Sequence, residues 1–290
     1  MIDLSGYLSL RALIRSFRGE VVITWGLTLL ESALFAFLPL LIGRSIDGLL
    51  KADGMPFVHL LIALAVLLGI GTGRRIYDTR AYGTMRVELG KALARRSEDR
   101  DVSVTNARVL MGRELVDFLE GEAPETVSAL IQTIASIVIL LLFHPTLAIS
   151  AGVATISVIV IYGFSSRRFF RLNAGLNEQL EEQVSALASR SKQSISGHFF
   201  SLRRHEVRLS DTESLVYGLV FLVLLAMLAF NLWFAATEGG FSPGEIFSIV
   251  TYSFEFLQSA VALPFALQTL TRLREITERI NEGSNLSSES

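Results

Sequence analysis

Two carboxylates interrupt apolar stretches that are long enough to cross a membrane. Glu31 lies within Val21–Ile42, and Glu255 lies within Ile246–Leu270. At the rise of an α-helix both fall near mid-membrane, where an unpaired ionised carboxylate costs several kcal/mol, and no Lys or Arg lies inside an apolar stretch to pair with them. We expect them to line a cavity, binding a cation or carrying protons. The alternative is a neutral carboxyl group hydrogen-bonded to another helix or, for Glu255, to Gln258 one turn on.

Three amide side chains, Gln132, Asn231 and Gln258, also fall within apolar stretches. Amides in such positions hydrogen-bond to neighbouring helices, or contact a substrate where the helix faces a pathway. Both roles are open for each of them. Together with Glu31 and Glu255, they are our candidate residues for a substrate or ion pathway.

The composition is typical of a membrane protein rather than of a soluble enzyme. Of the 290 residues, 51% are hydrophobic and 19% are charged, against about 25% charged in soluble domains. Six apolar stretches approach the length of about 20 residues that a membrane-crossing helix needs. They are Val21–Ile42, Phe57–Gly73, Thr126–Phe143, Pro145–Ser166, Ser214–Thr237 and Ile246–Leu270. Gly69, Gly71 and Gly73, which include a Gly-x-x-x-Gly spacing, predict close helix packing at the end of the second stretch.

Several kinds of chemistry have no support in the sequence. The absence of cysteine excludes disulfides, thiolate metal sites and cysteine nucleophiles. The 4 histidines share no helical face and no carboxylate cluster, so we expect neither a metal site nor catalytic residues. A net charge of −2 gives no basic field for nucleic acid.

The basic residues predict an orientation. Of the 26 Lys and Arg residues, all but Arg44 and Lys51 fall on one side of a six-span arrangement. Because positive charge is retained in cytoplasmic loops, we expect both termini and both long loops in the cytoplasm, and short turns outside.

The two long loops, residues 74–123 and 165–213, have helical periodicity. In the first loop, Met85, Leu89 and Leu93 share one face. In the second loop, the apolar positions recur every three or four residues, at Leu172, Leu176, Leu180, Val184 and Leu187. This pattern predicts helical arms that leave the membrane and return, and disfavours the alternative of two disordered charged loops.

The six stretches, the two helical loops after the second and fourth, and the tight turn at Phe143–Thr146 resemble the exporter-type transmembrane domain of ABC transporters. A basic helical extension at Thr271–Ile280 adds to the resemblance, which covers about residues 8–280. It implies an all-α membrane fold with six transmembrane helices and long cytoplasmic helical extensions. The predicted domains are residues 1–280, the membrane domain, and residues 281–290, a disordered polar tail.

In that family, each loop tip carries a short coupling helix that docks on an ATP-hydrolysing domain. By position, the resemblance places these tips near Val102–Ala107 and near Ser196–Arg203. The predicted coupling residues are Val102, Ser103, Val104, Thr105, Asn106, Ala107, Ser196, Gly197, His198, Phe199 and Phe200. The second tip would leave about 30 residues to descend and only about 10 to return, at a uniform helical rise.

The sequence contains no phosphate-binding loop of the form Gly-x-x-x-x-Gly-Lys-Ser/Thr, because Met85 replaces the first glycine before Gly90–Lys91. We therefore expect a chain that is not an enzyme and has no cofactor of its own, with ATP hydrolysed by a separate subunit. The resemblance also implies a second copy, or a homologous transmembrane subunit, and a bacterial inner membrane. Two alternatives remain open. One is a stand-alone proton-coupled transporter, similar to some bacterial peptide-uptake proteins, and the other is a non-transporting membrane scaffold or regulator.

Overall fold

The computed structural model describes residues 10–96 and 102–261, and every regular element in these ranges is a helix. The helices are α1 (Leu10–Ser16), α2 (Arg18–Leu50), α3 (Met55–Arg96), α4 (Val102–Glu120), α5 (Glu122–Phe143), α6 (Pro145–Glu181), α7 (Gln183–Ala188), α8 (Lys192–Thr237) and α9 (residues 243–261). The predicted all-α fold class is confirmed. The predicted extension Thr271–Ile280 and the tail 281–290 lie outside the described residues.

Within residues 10–96 and 102–261, five segments are long and apolar enough to cross a membrane. They are Arg18–Leu50, Met55–Arg95, Val109–Phe143, Pro145–Ala188 and Lys192–Thr237, and each contains one of the first five predicted stretches. The sixth stretch, Ile246–Leu270, coincides with α9 only up to residue 261, and α9 carries Glu245, Glu255 and Gln258. The sixth span therefore stays a prediction.

The apolar surfaces of these helices are mostly uncovered by the chain itself. Only 6% to 28% of each apolar window is buried inside the protein. In water, exposed apolar surface of this extent would drive aggregation, whereas hydrocarbon solvates it. The burial pattern is therefore that of helices surrounded by lipid or by a further membrane chain.

The chain forms two compact units. The first comprises the described parts of residues 1–140 and 239–290, and the second comprises residues 141–238. In the first unit, α2 packs on α3 and α3 packs on α4. In the second unit, α6 and α8 pack against each other along their length.

A hydrophobic cluster joins the C-terminal half of α3 to α4 in the first unit. Tyr82, Met85, Leu89 and Leu93 of α3 are buried, and Leu115 of α4 is completely buried. Leu13, Phe17 and Val21 close the cluster from α1 and the start of α2. The predicted apolar face of the first loop is confirmed, because its three residues all belong to this cluster.

In the second unit, the helical arm reverses earlier than predicted. The chain turns at residues 189–191, where Arg190 adopts φ 52°, and α8 begins with Ser191 accepting a hydrogen bond from the amide of Ser194. The predicted tip near Ser196–Arg203 is therefore wrong as the place of reversal, because these residues lie within the first turns of α8. No glycine or proline marks this turn in the sequence, and an arginine takes the left-handed conformation instead.

The second arm is helical, but its apolar face is not buried within the unit. Leu180, Val184 and Leu187 are exposed, Val184 to 77%. Sequence periodicity predicted the helix, since the periodic pattern depends only on which residues share a face. It did not predict what covers that face.

Candidate functional site

A cavity of about 490 Å³ lies in the first unit, between α2, α3, the α4–α5 junction and α9. Glu31, Gln132, Glu255 and Gln258, four of the five predicted pathway residues, line it. Side chains that are far apart in the sequence are therefore brought to one polar hollow. The fifth, Asn231, belongs to the second unit.

Glu31 has a basic partner, contrary to the sequence-based expectation. The guanidinium of Arg74 on α3 donates from Nε to the Glu31 carboxylate. The same guanidinium donates from Nη1 to Oδ2 of the buried Asp78, at 3.1 Å. The expectation was wrong because Arg74 comes one residue after the apolar stretch ending at Gly73, and its long side chain reaches from α3 to Glu31 on α2.

Glu255 has a different partner. Its carboxylate accepts a hydrogen bond from the side-chain amide of Gln132, which α5 supplies. The sequence offered Gln258 as the partner, one turn away on the same helix, but Gln258 is exposed on the cavity wall. The hydrogen bond to Glu255 therefore comes from Gln132 on a different helix and not from Gln258 on the same helix. It joins α5 to α9.

Hydroxyl groups connect the helices around the cavity. Ser32 of α2 and Ser128 of α5 share a hydrogen bond of 2.8 Å, and Thr133 of α5 donates to Ser259 of α9 at 2.8 Å. Short hydroxyl side chains allow close helix approach and bond across it without a formal charge. α5 is therefore tied to both of its neighbours at the level of the cavity.

Towards its N-terminus, α9 is joined to α2 by hydrogen bonds from side-chain hydroxyl groups to backbone carbonyl groups. The Tyr252 hydroxyl donates to the Ala36 carbonyl at 2.6 Å, and the Ser248 hydroxyl donates to the Pro39 carbonyl at 2.9 Å. At the next turn, a Cβ added to Gly244 would lie 1.9 Å from the Gly43 carbonyl oxygen. Only glycine fits at this crossing, because the obstructing atom is backbone.

The first turn of α9 is capped and anchored. The Ser242 hydroxyl accepts from the Glu245 amide at 3.2 Å, while the Glu245 carboxylate accepts from the Ser242 amide at 2.8 Å. This reciprocal pair is a capping box, with Pro243 at the first helical position. Asp47 of α2 then accepts from the Ser242 hydroxyl and, at 2.9 Å, from the Gly244 amide. The Ser-Pro-Gly-Glu segment is a helix start that is visible in the sequence, whereas its acceptor Asp47 lies on another helix and was not predicted.

A second arginine is bonded to a carboxylate that lines the cavity. Arg86 of α3 donates to Asp117 at 2.6 Å and also to Glu120, both on α4. Glu120 lines the cavity, and so do the exposed side chains of Arg75 and Glu125. Ion pairs therefore continue from the cavity wall to the hydrophobic cluster of α3 and α4.

In the second unit, Asn231 is completely buried. Its Oδ1 accepts a hydrogen bond of 2.6 Å from the Ser150 hydroxyl, which joins α8 to α6. Of the two roles that the sequence left open for Asn231, the structure shows a helix-to-helix hydrogen bond.

The predicted coupling residues fall at the start of two helices. Val102–Ala107 form the first turns of α4, where Val102 and Asn106 are exposed and Thr105 is half-buried. The side chains of Ser103, Val104 and Ala107 lie outside the described set. In the second group, four residues of α8 are exposed: Ser196, Gly197, Phe199 and Phe200. His198 alone is buried, with its ring edge-on to Phe199 at 5.5 Å.

Residues 10–244, from α1 to the first turn of α9, match the family described as the ABC transporter transmembrane region. The chain belongs to this family. No curated protein matches it. Its family, together with several long apolar helices in the described residues, makes the chain an integral membrane protein and a component of a membrane transporter. The resemblance drawn from spans and loops is confirmed at the level of the family.

Proposed function

We propose that this chain is the membrane subunit of an ATP-driven transporter, and that the cavity of the first unit forms part of its substrate pathway. The observation that carries this proposal is the cavity itself. Ionisable and amide side chains from α2, α3, α5 and α9 converge on it, and Glu31, Gln132 and Glu255 come from within apolar stretches. Polar groups gathered inside a membrane bundle are expensive unless they meet water or a solute, and they usually mark a pathway.

The proposed topology has six crossings, with α9 continuing as the sixth. Both termini and both helical arms lie in the cytoplasm of a bacterial cell, and the membrane is the inner membrane. The distribution of Lys and Arg supports this orientation.

We place the ATPase on a separate subunit that docks on the arms, so that this chain is not itself an enzyme. The exposed residues at the start of α4 and the exposed Phe199 and Phe200 of α8 are the surfaces we assign to docking. The reversal at residues 189–191 adds the α7–α8 turn to that surface. ATP binding by the partner would then move the arms and, through α3 and α8, the membrane helices.

A second transmembrane subunit, either another copy or a homologue, completes the pathway in this proposal. Gln258 is exposed on the cavity wall and would meet lipid if no other chain covered it. Polar surface within hydrocarbon requires a covering chain or water. Pairing with a second subunit provides that cover.

One observation favours a second candidate function. Glu255 is bonded to a neutral amide instead of an arginine, and a carboxylate in that setting is suited to taking up a proton. The second candidate is therefore a proton-coupled transporter without an ATPase partner. The third possibility, a scaffold or regulator that transports nothing, predicts that Glu31→Gln and Glu255→Gln leave every uptake and efflux phenotype unchanged.

The motor can be identified by purifying the tagged full chain from its native cells in mild detergent. We expect an ATP-hydrolysing subunit to co-purify in stoichiometric amount. Alanine substitution of both Phe199 and Phe200 should release that subunit from the chain. The matched control is alanine at Phe164 and Phe170, which are exposed on α6. Transport that survives ATP depletion and stops with an uncoupler would overturn the ATP-driven proposal in favour of the proton-coupled one.

A further inference from the structure

The cavity of the first unit has more carboxylates than guanidiniums. Its ionisable lining consists of Glu31, Glu120, Glu125 and Glu255 against Arg74 and Arg75. A cavity with this excess of carboxylates attracts positive charge.

The arginines that pair with these carboxylates do not cancel this excess, because each of them is partly buried and serves two carboxylates. Arg74 is shared between Glu31 and Asp78. Arg86, behind the wall, is shared between Asp117 and Glu120. The first cluster carries a net negative charge, whereas in the second Arg113, at 3.8 Å from Asp117, makes the charges equal. Arg74 and Arg86 both serve carboxylates, so neither guanidinium is free to bind an anionic solute.

Glu255 differs from the other two carboxylates that have partners. Glu31 and Glu120 contact arginines, whereas the described partner of Glu255 is the neutral amide of Gln132. That amide orients the carboxylate without neutralising it. Glu255 is therefore the partly buried carboxylate of the cavity whose charge remains available to a bound molecule.

The rest of the wall suits an organic body rather than a bare metal ion. Phe35, Pro124 and Ala129 line the same cavity, whose volume is about 490 Å³. This volume lies within the range of about 300 to 1,000 Å³ that small-molecule pockets occupy. No group of three metal-ligating side chains occurs in the part of the chain that the structure describes.

We propose that the cavity takes organic cations of small-molecule size, with Glu255 as the counter-charge and Phe35, Pro124 and Ala129 as the apolar contact. This proposal rests on the proposed role of the cavity in transport, and it names the substrate class. The cationic group lies towards Glu255 and Gln258, and the hydrophobic body lies against the α2 and α5 walls.

The test is equilibrium dialysis with the full chain in nanodiscs of zwitterionic lipid, with empty nanodiscs subtracted. The probes are tetraphenylphosphonium, a bulky cation, and triphenylphosphine oxide, a neutral relative. We expect the cation to bind at least about tenfold more tightly than the neutral probe, and Glu255→Gln to remove most of that preference, as the loss of a partly desolvated charge pair would. Glu255→Asp keeps the charge and should retain it.

Glu125→Gln is the matched control, because Glu125 is exposed on the same cavity. We expect it to change cation binding by less than about threefold, as rim charges do. Equal binding of both probes, an unchanged preference in Glu255→Gln, or an equal loss in Glu125→Gln would each overturn the proposal. If Glu255→Gln does not give monodisperse protein, the comparison of the two probes on the unaltered chain decides. The outcome of this binding test does not depend on the energy source of transport. An ATPase can co-purify with a chain that shows no preference for the cation.

Discussion

The backbone amide of Gly244 at the start of α9 donates a 2.9 Å hydrogen bond to the Asp47 carboxylate near the end of α2. The Ser242 hydroxyl contacts the same carboxylate, so two groups at a helix N-terminus share one acceptor on another helix. This anchor holds the helix that carries Glu255 against the helix that carries Glu31. The geometry of the cavity therefore depends on a contact outside it.

Removing that acceptor should loosen α9. We expect Asp47→Ala to lower the free energy of unfolding by about 1–3 kcal/mol, because two donors lose a charged acceptor and a helix loses favourable negative charge at its N-terminus. The apparent melting temperature of the purified protein in detergent measures it. Glu238→Ala, at an exposed position in the preceding turn, is the control and should change little. Equal melting temperatures of the two variants would show that the anchor contributes nothing.

Gly244→Ala tests the close crossing of α2 and α9. Its Cβ would meet the Gly43 carbonyl at 1.9 Å and the Asp47 side chain at 2.7 Å, so the helices must separate. We expect a loss of about 2 kcal/mol or more, in the range of overpacked cores. Gly26→Ala is the matched control in α2, because nothing lies within 4 Å of its added Cβ. That substitution should be neutral or stabilise by up to about 1 kcal/mol through helix propensity. A Gly244→Ala protein as stable as Gly26→Ala would contradict the crossing.

Arg74→Gln tests the charge network behind Glu31. It leaves the buried Asp78 and the partly buried Glu31 without their cation, and we expect a cost of about 1–3 kcal/mol after allowing for partial exposure. Arg75→Gln removes an exposed arginine at the next position and should cost less than about 0.5 kcal/mol.

The double variant Glu31→Gln/Arg74→Gln provides the decisive comparison. It should be more stable than Arg74→Gln alone, because an unpaired carboxylate is removed together with its partner. Additive losses in the double variant would show that the two side chains do not interact.

The hydrophobic cluster of α3 and α4 can be tested in the same thermal assay. Leu115 is completely buried there, so Leu115→Ala should cost about 2–5 kcal/mol. Leu110 lies on the same helix and is more than half exposed, so Leu110→Ala should cost less than about 1 kcal/mol. Similar losses for both would mean that α4 does not pack on α3 as described.

Much of the helical architecture could be predicted from the sequence, because apolar length and periodicity are properties of single segments. The first five stretches each lie within a long helix, and the Met85, Leu89 and Leu93 face is buried as expected. The reversal of the second arm could not be found in the same way, because Arg190 takes a conformation that sequence signals assign to glycine.

The partners of the cavity residues depend on which helices meet, and a single sequence does not contain that information. Arg74 was not predicted as a partner because it lies outside the apolar stretch of its helix. Gln132 was a candidate pathway residue, but its bond to Glu255 was not predicted because the two are more than 100 residues apart. Of the three glycines predicted to pack closely, only Gly71 does so in the described residues, since an added Cβ there would lie 3.0 Å from Oε1 of Glu31. An added Cβ at Gly69 or Gly73 meets nothing within 4 Å, while the close crossing uses two glycines in different helices.

The most direct test of the proposed account is the location of the helical arms in intact cells. The chain has no cysteine, so single cysteines can be introduced at exposed positions and labelled with a membrane-impermeant maleimide. Cysteine at Arg95 or Lys192, on the arms, should be labelled only after permeabilisation. Cysteine at Lys51 or Glu238, in the proposed outer turns, should be labelled in intact cells. Labelling of position 95 or 192 from outside intact cells would contradict the topology, and with it the coupling of these arms to a cytoplasmic ATPase.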